Sequence, residues 1–296
     1  GNLTVTTRPL EITADDDSKV YGDLYEFDND EYSISSGDLV LGHALSLVLS
    51  SDGAAEDAET GSYDIAIGSV EIMDGGQDVT SNYDISELEG TLTVGLRSIE
   101  VTADPGQSKV YGASDPEFTY DVTSGGLADG HSFAGLLDRS SGEDVGTYAI
   151  GEGSLRIEDG DSEDVTDNYD FTFVSNDFAI NPAPLTVEAD DKSKTYDGDP
   201  YTGFTVTYIG FVSDDNESDL DGSPDFSGDA VNATDAGSYT ITPQGLTSSN
   251  YDIHFESGTL TIDERTLNLS GFTAASRIYD GTTDVTGTDF SDDRVG

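Results

Sequence analysis

Hydrophobic and polar residues alternate with a period of two in short runs along nearly the whole chain. Leu10-Glu11-Ile12-Thr13-Ala14, Ile99-Glu100-Val101-Thr102-Ala103 and Leu185-Thr186-Val187-Glu188-Ala189 each place their apolar side chains on one face of an extended segment. Phe118–Val122, Thr147–Ile150, Ser154–Ile157 and Tyr169–Val174 read the same way. Thr, Val, Ile, Tyr and Phe fill the runs. Gly, Asp and Asn fill the gaps, with turn signals every 8–12 positions or so. Residues 38–49 come closest to a helical period, but Gly42 interrupts them among β-rich surroundings. The pattern predicts a mainly β protein.

The runs repeat. Ser18-Lys19-Val20-Tyr21-Gly22 returns as Ser108-Lys109-Val110-Tyr111-Gly112, as Ser193-Lys194-Thr195-Tyr196-Asp197-Gly198 and as Ser276-Arg277-Ile278-Tyr279-Asp280-Gly281. The marker tyrosines lie 90 (21 to 111), 85 (111 to 196) and 83 (196 to 279) residues apart. A domain-sized period means that each copy folds around its own core. Residues 8–95, 96–181 and 182–263 are three β domains, and 264–296 is a partial fourth. Residues 1–7 match the closing strand of a preceding copy, because Leu3-Thr4-Val5-Thr6 resembles Thr91-Leu92-Thr93-Val94. The connections are too short to be flexible linkers, so tandem small domains in an extended rod are expected.

Two further markers keep step with the first. Gly61-Ser62-Tyr63, Asp144-Val145-Gly146-Thr147-Tyr148 and Asp235-Ala236-Gly237-Ser238-Tyr239 have the form of a tyrosine corner, in which a phenol bonds backbone just upstream. Asn82-Tyr83-Asp84, Asn168-Tyr169-Asp170 and Asn250-Tyr251-Asp252 open the penultimate strand of each copy. The phase-equivalent tyrosines are expected to be buried, packed in a core with the hydroxyl hydrogen-bonded. Together these markers resemble the YGX-type MBG repeats of bacterial surface proteins, and Arg277-Ile278-Tyr279-Asp280-Gly281-Thr282-Thr283 resembles the start of a YDG domain. The resemblance implies a secreted or surface-anchored bacterial adhesin. An Ig-like β-sandwich is the expected fold of each copy, with a β-grasp-like variant as the alternative.

Charge narrows the partners. The chain has 11 Lys+Arg against 61 Asp+Glu, a formal charge of −50, which removes nucleic acid and anionic membrane surfaces as default ligands. There is no Cys, and no apolar run is long enough to span a membrane. Lys19, Lys109 and Lys194 occupy the marker and Arg277 fills their slot in the fourth copy, so these cations are read as structural, each pairing with a nearby carboxylate. His43, His131 and His254 do not recur in phase, and no catalytic motif is present, so an enzyme is not expected. Carboxylate clusters are the ligand candidates. Glu217, Asp219, Asp221 and Asp225 lie at alternating positions in a Gly-containing loop, a spacing that suits calcium. The leading expectation is an extracellular stalk that spaces a distal adhesive region or builds biofilm matrix. The alternative is a binding module whose repeats contact glycans, other surface molecules or neighbouring copies, with calcium as the candidate ion.

Overall fold

The computed structural model describes residues 1–294 apart from Asn29, 275–277 and 282–286. Ser276, Arg277, Thr282 and Thr283 of the fourth marker therefore lie outside the described residues. Two compact units are present. Residues 1–107, 117–141 and 148–178 form the first; residues 108–116, 142–147 and 179–296 form the second.

Repeat 1 is a sandwich of two sheets. Its first strand, Arg8–Ala14, is the middle of a three-stranded sheet, antiparallel to Tyr32–Gly37 and parallel to Tyr83–Leu88. The chain then steps across to the second sheet. There the marker strand Asp17–Val20 runs parallel to the closing strand Gly90–Gly95, which continues antiparallel into Gly61–Asp74 and His43–Ser50. Alternation supplies the core. Leu10 and Ile12 of the first sheet meet Leu47, Ile65, Ile72 and Leu92 of the second. Each such side chain contributes about 1.5–3 kcal/mol by leaving water. Residues 39–42 are a turn, and the strand His43–Ser50 follows, so the weak helical period around them is overridden by sheet pairing.

Repeat 3 has the same plan. Ala183–Ala189 lies between Val206–Ile209, antiparallel, and Tyr251–Glu256, parallel. Lys192–Thr195 runs parallel to Gly258–Asp263, which pairs with Gly237–Thr247 and through it with Asp221–Ser227. In repeat 2, Arg97–Ala103 pairs in parallel with Tyr169–Val174, and Ser108–Val110 pairs in parallel with Asp177–Asn181. In repeats 1 and 3 the two sheets share a core between them, and among the described residues no α-helix covers either face, which is the sandwich form. Two parallel pairings per repeat, first strand on penultimate and marker strand on last, are what periodicity alone does not reveal.

One residue separates each of the first two closing strands from the first strand of the next repeat. Leu96 stands between Gly90–Gly95 and Arg97–Ala103, and Pro182 between Asp177–Asn181 and Ala183–Ala189. With so little slack, consecutive repeats must touch, and their markers lie where they do.

Candidate functional site: the joint between repeats

The receiving half of each joint is a tight turn held by the tyrosine of the Asn-Tyr-Asp marker. The turns are Val40–His43, Ala128–His131 and Val212–Asp215, closed by His43 N–H to Val40 O at 2.9 Å, His131 N–H to Ala128 O at 3.2 Å and Asp215 N–H to Val212 O at 3.1 Å. The first residue of each turn donates its amide to a phenol oxygen: Val40 to Tyr83 at 2.9 Å, Ala128 to Tyr169 at 3.0 Å and Val212 to Tyr251 at 3.1 Å. The last residue takes the other side of that hydroxyl. His43 Nδ1 and His131 Nδ1 each lie 2.8 Å from their tyrosine oxygen, and Tyr251 donates to Asp215 Oδ2 at 2.6 Å. A phenol that already accepts from an amide has its proton left for the ring nitrogen or carboxylate. His43 and His131 therefore recur in structure, contrary to the sequence reading. Their spacing to the tyrosine drifts from 40 (43 to 83) to 38 (131 to 169), and Asp215 replaces the imidazole in repeat 3 at 36 (215 to 251). His254, exposed on a strand, takes no part.

The inserting half is the S-K-x-Y-G marker of the preceding repeat. Tyr21 is only 4% exposed, and its ring packs edge-on to Tyr169 and tilted to His131, both of repeat 2, with centroids 5.7 Å apart in each case. Tyr111 packs edge-on to Tyr251 of repeat 3 at 5.5 Å and donates its hydroxyl to Asp215 Oδ2 at 3.0 Å. The glycine after each tyrosine has positive φ, +85° at Gly22 and +79° at Gly112. A Cβ there would run into Ala128 and Val212 respectively, the first residues of the receiving turns. Both reasons demand glycine. Tyr21 is buried as expected, and the cluster that buries it joins Val94 of repeat 1 to Ile99, Ile157 and Tyr169 of repeat 2.

The other two markers close the joint. Asn168 Oδ1 accepts from Thr60 N–H at 2.9 Å and from the Thr60 hydroxyl at 3.0 Å. Asn250 Oδ1 accepts from Val145 N–H at 2.9 Å, and its amide donates to Asp144 Oδ1 at 3.0 Å. Thr60 and Val145 each precede the glycine of a tyrosine-corner marker. Arg97 completes the first joint, donating to Gly126 O at 3.0 Å within its own repeat and to Tyr21 O at 3.2 Å and Asp23 Oδ1 at 2.9 Å across the joint. All three markers of a repeat are therefore parts of one recurring interface.

Burial is the first cause raising the pKa of Tyr21, Tyr169, Tyr111 and Tyr251, because a phenolate is disfavoured away from water. Beside Asp215 the effect grows, and Tyr251 is pushed up to about 12. The marker lysines differ. Lys19 donates to Asp23 O at 2.9 Å and to Ala55 O, and burial lowers its pKa against the pull of Asp23 and more distant carboxylates. Burial also opposes the charge on Lys109, but Asp115 at 2.7 Å and Glu143 raise its pKa overall. Lys194 pairs with Asp197 at 2.5 Å and donates to Asp199 O at 2.6 Å. The expected carboxylate partner thus holds for Lys109 and Lys194, while both hydrogen bonds of Lys19 go to carbonyls.

The tyrosine corners are present at Tyr63, which donates to Glu59 O at 2.9 Å, and at Tyr239, which donates to Asp235 O at 3.0 Å. These rings and Tyr148, with Arg139 4.9 Å over its face, are half-buried. The calcium candidates lie on two consecutive elements, and two of them have local hydrogen-bond partners. Glu217–Asp219 is one turn of 3-10 helix, in which Asp219 Oδ2 accepts from Asn216 N–H at 2.9 Å and Asn216 caps Ser218. Asp221 begins the following strand, and Asp225 Oδ2 accepts from Gln244 at 3.0 Å. Among the described residues no three carboxylate or imidazole side chains converge to hold a metal ion. An acidic cleft of about 630 Å³ lies at the first joint. Asp57, Glu59, Asp129, Asp159, Asp161 and Glu163 line it, together with Tyr21 and His131.

The family description that matches is the MBG domain of YGX type, over residues 10–93, 99–179 and 185–261. No curated protein is similar in sequence to this chain. Among solved structures, the N-terminal four Ig domains of a Dscam1 isoform are 11% identical, with 86% of this chain and 73% of that one covered at a TM-score of 0.24. Drosophila N-cadherin EC1-4 is 9% identical, with 88% and 76% covered at 0.25. A SusE-like surface-located polysaccharide-binding protein of Bacteroides thetaiotaomicron is 12% identical, with 78% and 37% covered at 0.21. Overlaps this loose carry no functional argument. No described helix is long and apolar enough to cross a membrane.

Proposed function

The chain belongs to the YGX-type MBG domain family, and on that premise we propose that it is the stalk of an extracellular, surface-attached bacterial adhesin or matrix protein, a non-catalytic spacer that carries an adhesive region away from the cell. The observation that supports this most is the repeated joint. Residues that could have built a ligand site in each repeat, namely the marker tyrosines, the Asn-Tyr pair and the glycine turn, are used to seat one repeat on the next. A spacer needs a defined succession of domains more than a pocket, and one-residue connections serve that need.

The competing reading is a binding module, and the acidic cleft at the first joint gives it a geometric foothold. Cations gathered there would relieve like-charge repulsion without an ordered site. Two measurements separate the readings. Small-angle scattering of the whole chain should give an elongated pair-distance profile, and a compact profile would remove the stalk. Melting in chelator, then with Ca²⁺, Mg²⁺ and Na⁺ at matched ionic strength, should show equal stabilisation if screening alone acts. A saturable gain with Ca²⁺ only, lost in Asp159→Asn/Asp161→Asn, would favour the module.

A further inference from the structure

Repeat 1 carries the receiving half of the joint, complete, on its own surface. Val40–His43 has the same turn, Val40 and His43 hold the Tyr83 hydroxyl as their counterparts do, and Asn82 precedes it as Asn168 precedes Tyr169. What differs is cover. Ala128, against which Gly22 is seated, is 6% exposed, whereas Val40 at the same position is 43% exposed and Leu41 beside it is 101% exposed. Asn168 is buried and Asn250 half-buried under the preceding repeat, while Asn82 is exposed. Arg8 matches Arg97 in holding the carbonyl just ahead of the turn, Asp38 O at 2.8 Å against Gly126 O at 3.0 Å. The Arg97 side chain is 26% exposed and reaches across the joint, and that of Arg8 is 43% exposed.

The geometry points to this face of repeat 1, formed by Arg8, Val40, Leu41, His43, Asn82 and Tyr83, as a docking surface for the Tyr-Gly marker turn of another YGX-type repeat. The occupant is read from the molecule itself, since the two equivalent surfaces are filled by Tyr21-Gly22 and Tyr111-Gly112. An exposed valine and leucine beside a preset turn are the apolar part of the fit. Asn82 and Arg8 supply the polar part, a carboxamide for the backbone ahead of a tyrosine corner and a guanidinium for the marker carbonyl. The proposal rests on the stalk reading and specifies how repeat 1 takes a further repeat.

The test is hydroxyl-radical footprinting of the whole chain, alone and with one added repeat fused ahead of Arg8 through a single intervening residue, as at the internal joints. One fusion carries a copy of residues 97–181 and a second carries a copy of residues 8–95, so that failure of one copy to fold does not decide the matter. Oxidation of Val40 and Leu41 in the resident repeat should fall several-fold, towards the level at Ala128. Replacing the marker tyrosine of the added copy by alanine should restore it. Unchanged Val40 and Leu41 reactivity in both fusions overturns the docking surface. If that happens while Ala128 and Val212 stay protected, the stalk reading stands; if Ala128 and Val212 are themselves as reactive as Val40, the stalk reading has failed as well.

Discussion

The two internal joints use the same markers and reach different electrostatic solutions. At the first, Tyr21 packs tilted against an imidazole, Asn168 accepts from Thr60, and Lys19 is held by carbonyls. At the second, one carboxylate, Asp215, gathers the hydroxyls of Tyr111 and Tyr251 from two repeats, and Lys109 is paired with Asp115 and Glu143. The comparison teaches that the joint is specified by shape, through the glycine turn, the edge-on ring and the asparagine bridge. The acceptor in the socket is free to change so long as one is there. It also locates the charge: the second joint is the more dependent on ionised partners.

The largest expected effect tests the part the joints share. Gly22→Ala places a methyl group in a left-handed backbone and against Ala128, and should cost about 2–4 kcal/mol of unfolding free energy in denaturant melts. Gly112→Ala against Val212 should cost a similar amount; a neutral outcome at both would mean that the close approach is not maintained in solution.

The next effects should separate the joints. Asp215→Ala leaves two phenols without their acceptor and should cost about 1–3 kcal/mol, whereas His131→Ala removes the partner of Tyr169 alone and should cost about 1 kcal/mol. Equal losses would erase the distinction. Tyr63→Phe and Tyr239→Phe break hydrogen bonds made within a single repeat by half-buried rings, so each should lower stability by about 0.5–1.5 kcal/mol.

The smallest effect is in alkaline titration. Tyr251 and Lys109 have folded pKa values above their ordinary ones, so the stability they contribute is present below the unfolded values and is lost as pH rises through the folded ones. Lys19 has a lowered value. Its charged form is disfavoured in the fold, and that penalty fades as pH rises towards the unfolded value. Tyr21 and Tyr169 are raised as well, so both joints should weaken between pH 10 and about 12, the second further because Lys19 offsets part of the loss at the first. Absorbance at the phenolate band should show Tyr251 titrating at about 12, and earlier in Asp215→Ala.

Strands, repeats and tyrosine corners were legible because they are local. Residues 169–174 alternate and form a strand over Tyr169–Val174, and Tyr239 bonds a carbonyl four residues back. The joint was half legible. Its inserting marker stands out as Tyr-Gly, but nothing in periodicity says that Tyr21 buries against the next repeat. The receiving turn was illegible because its distance from the tyrosine shortens along the chain and its last residue changes from His43 and His131 to Asp215. In the loop at 217–225 the sequence shows the carboxylates but not their local partners. In a chain this acidic, alternating carboxylates arise readily, and here Asp219 caps a turn while Asp225 bonds Gln244.

The central claim is that the markers fix each repeat on its neighbour. The absence of native cysteine allows spin labels at Ser33→Cys and Thr172→Cys, exposed positions on repeats 1 and 2, and their separation can be read by pulsed electron paramagnetic resonance. The account predicts a single narrow distance distribution in the otherwise unaltered chain, broadening strongly in Tyr21→Ala/Asn168→Ala. A broad distribution from the outset, or a narrow one indifferent to both substitutions, would contradict it.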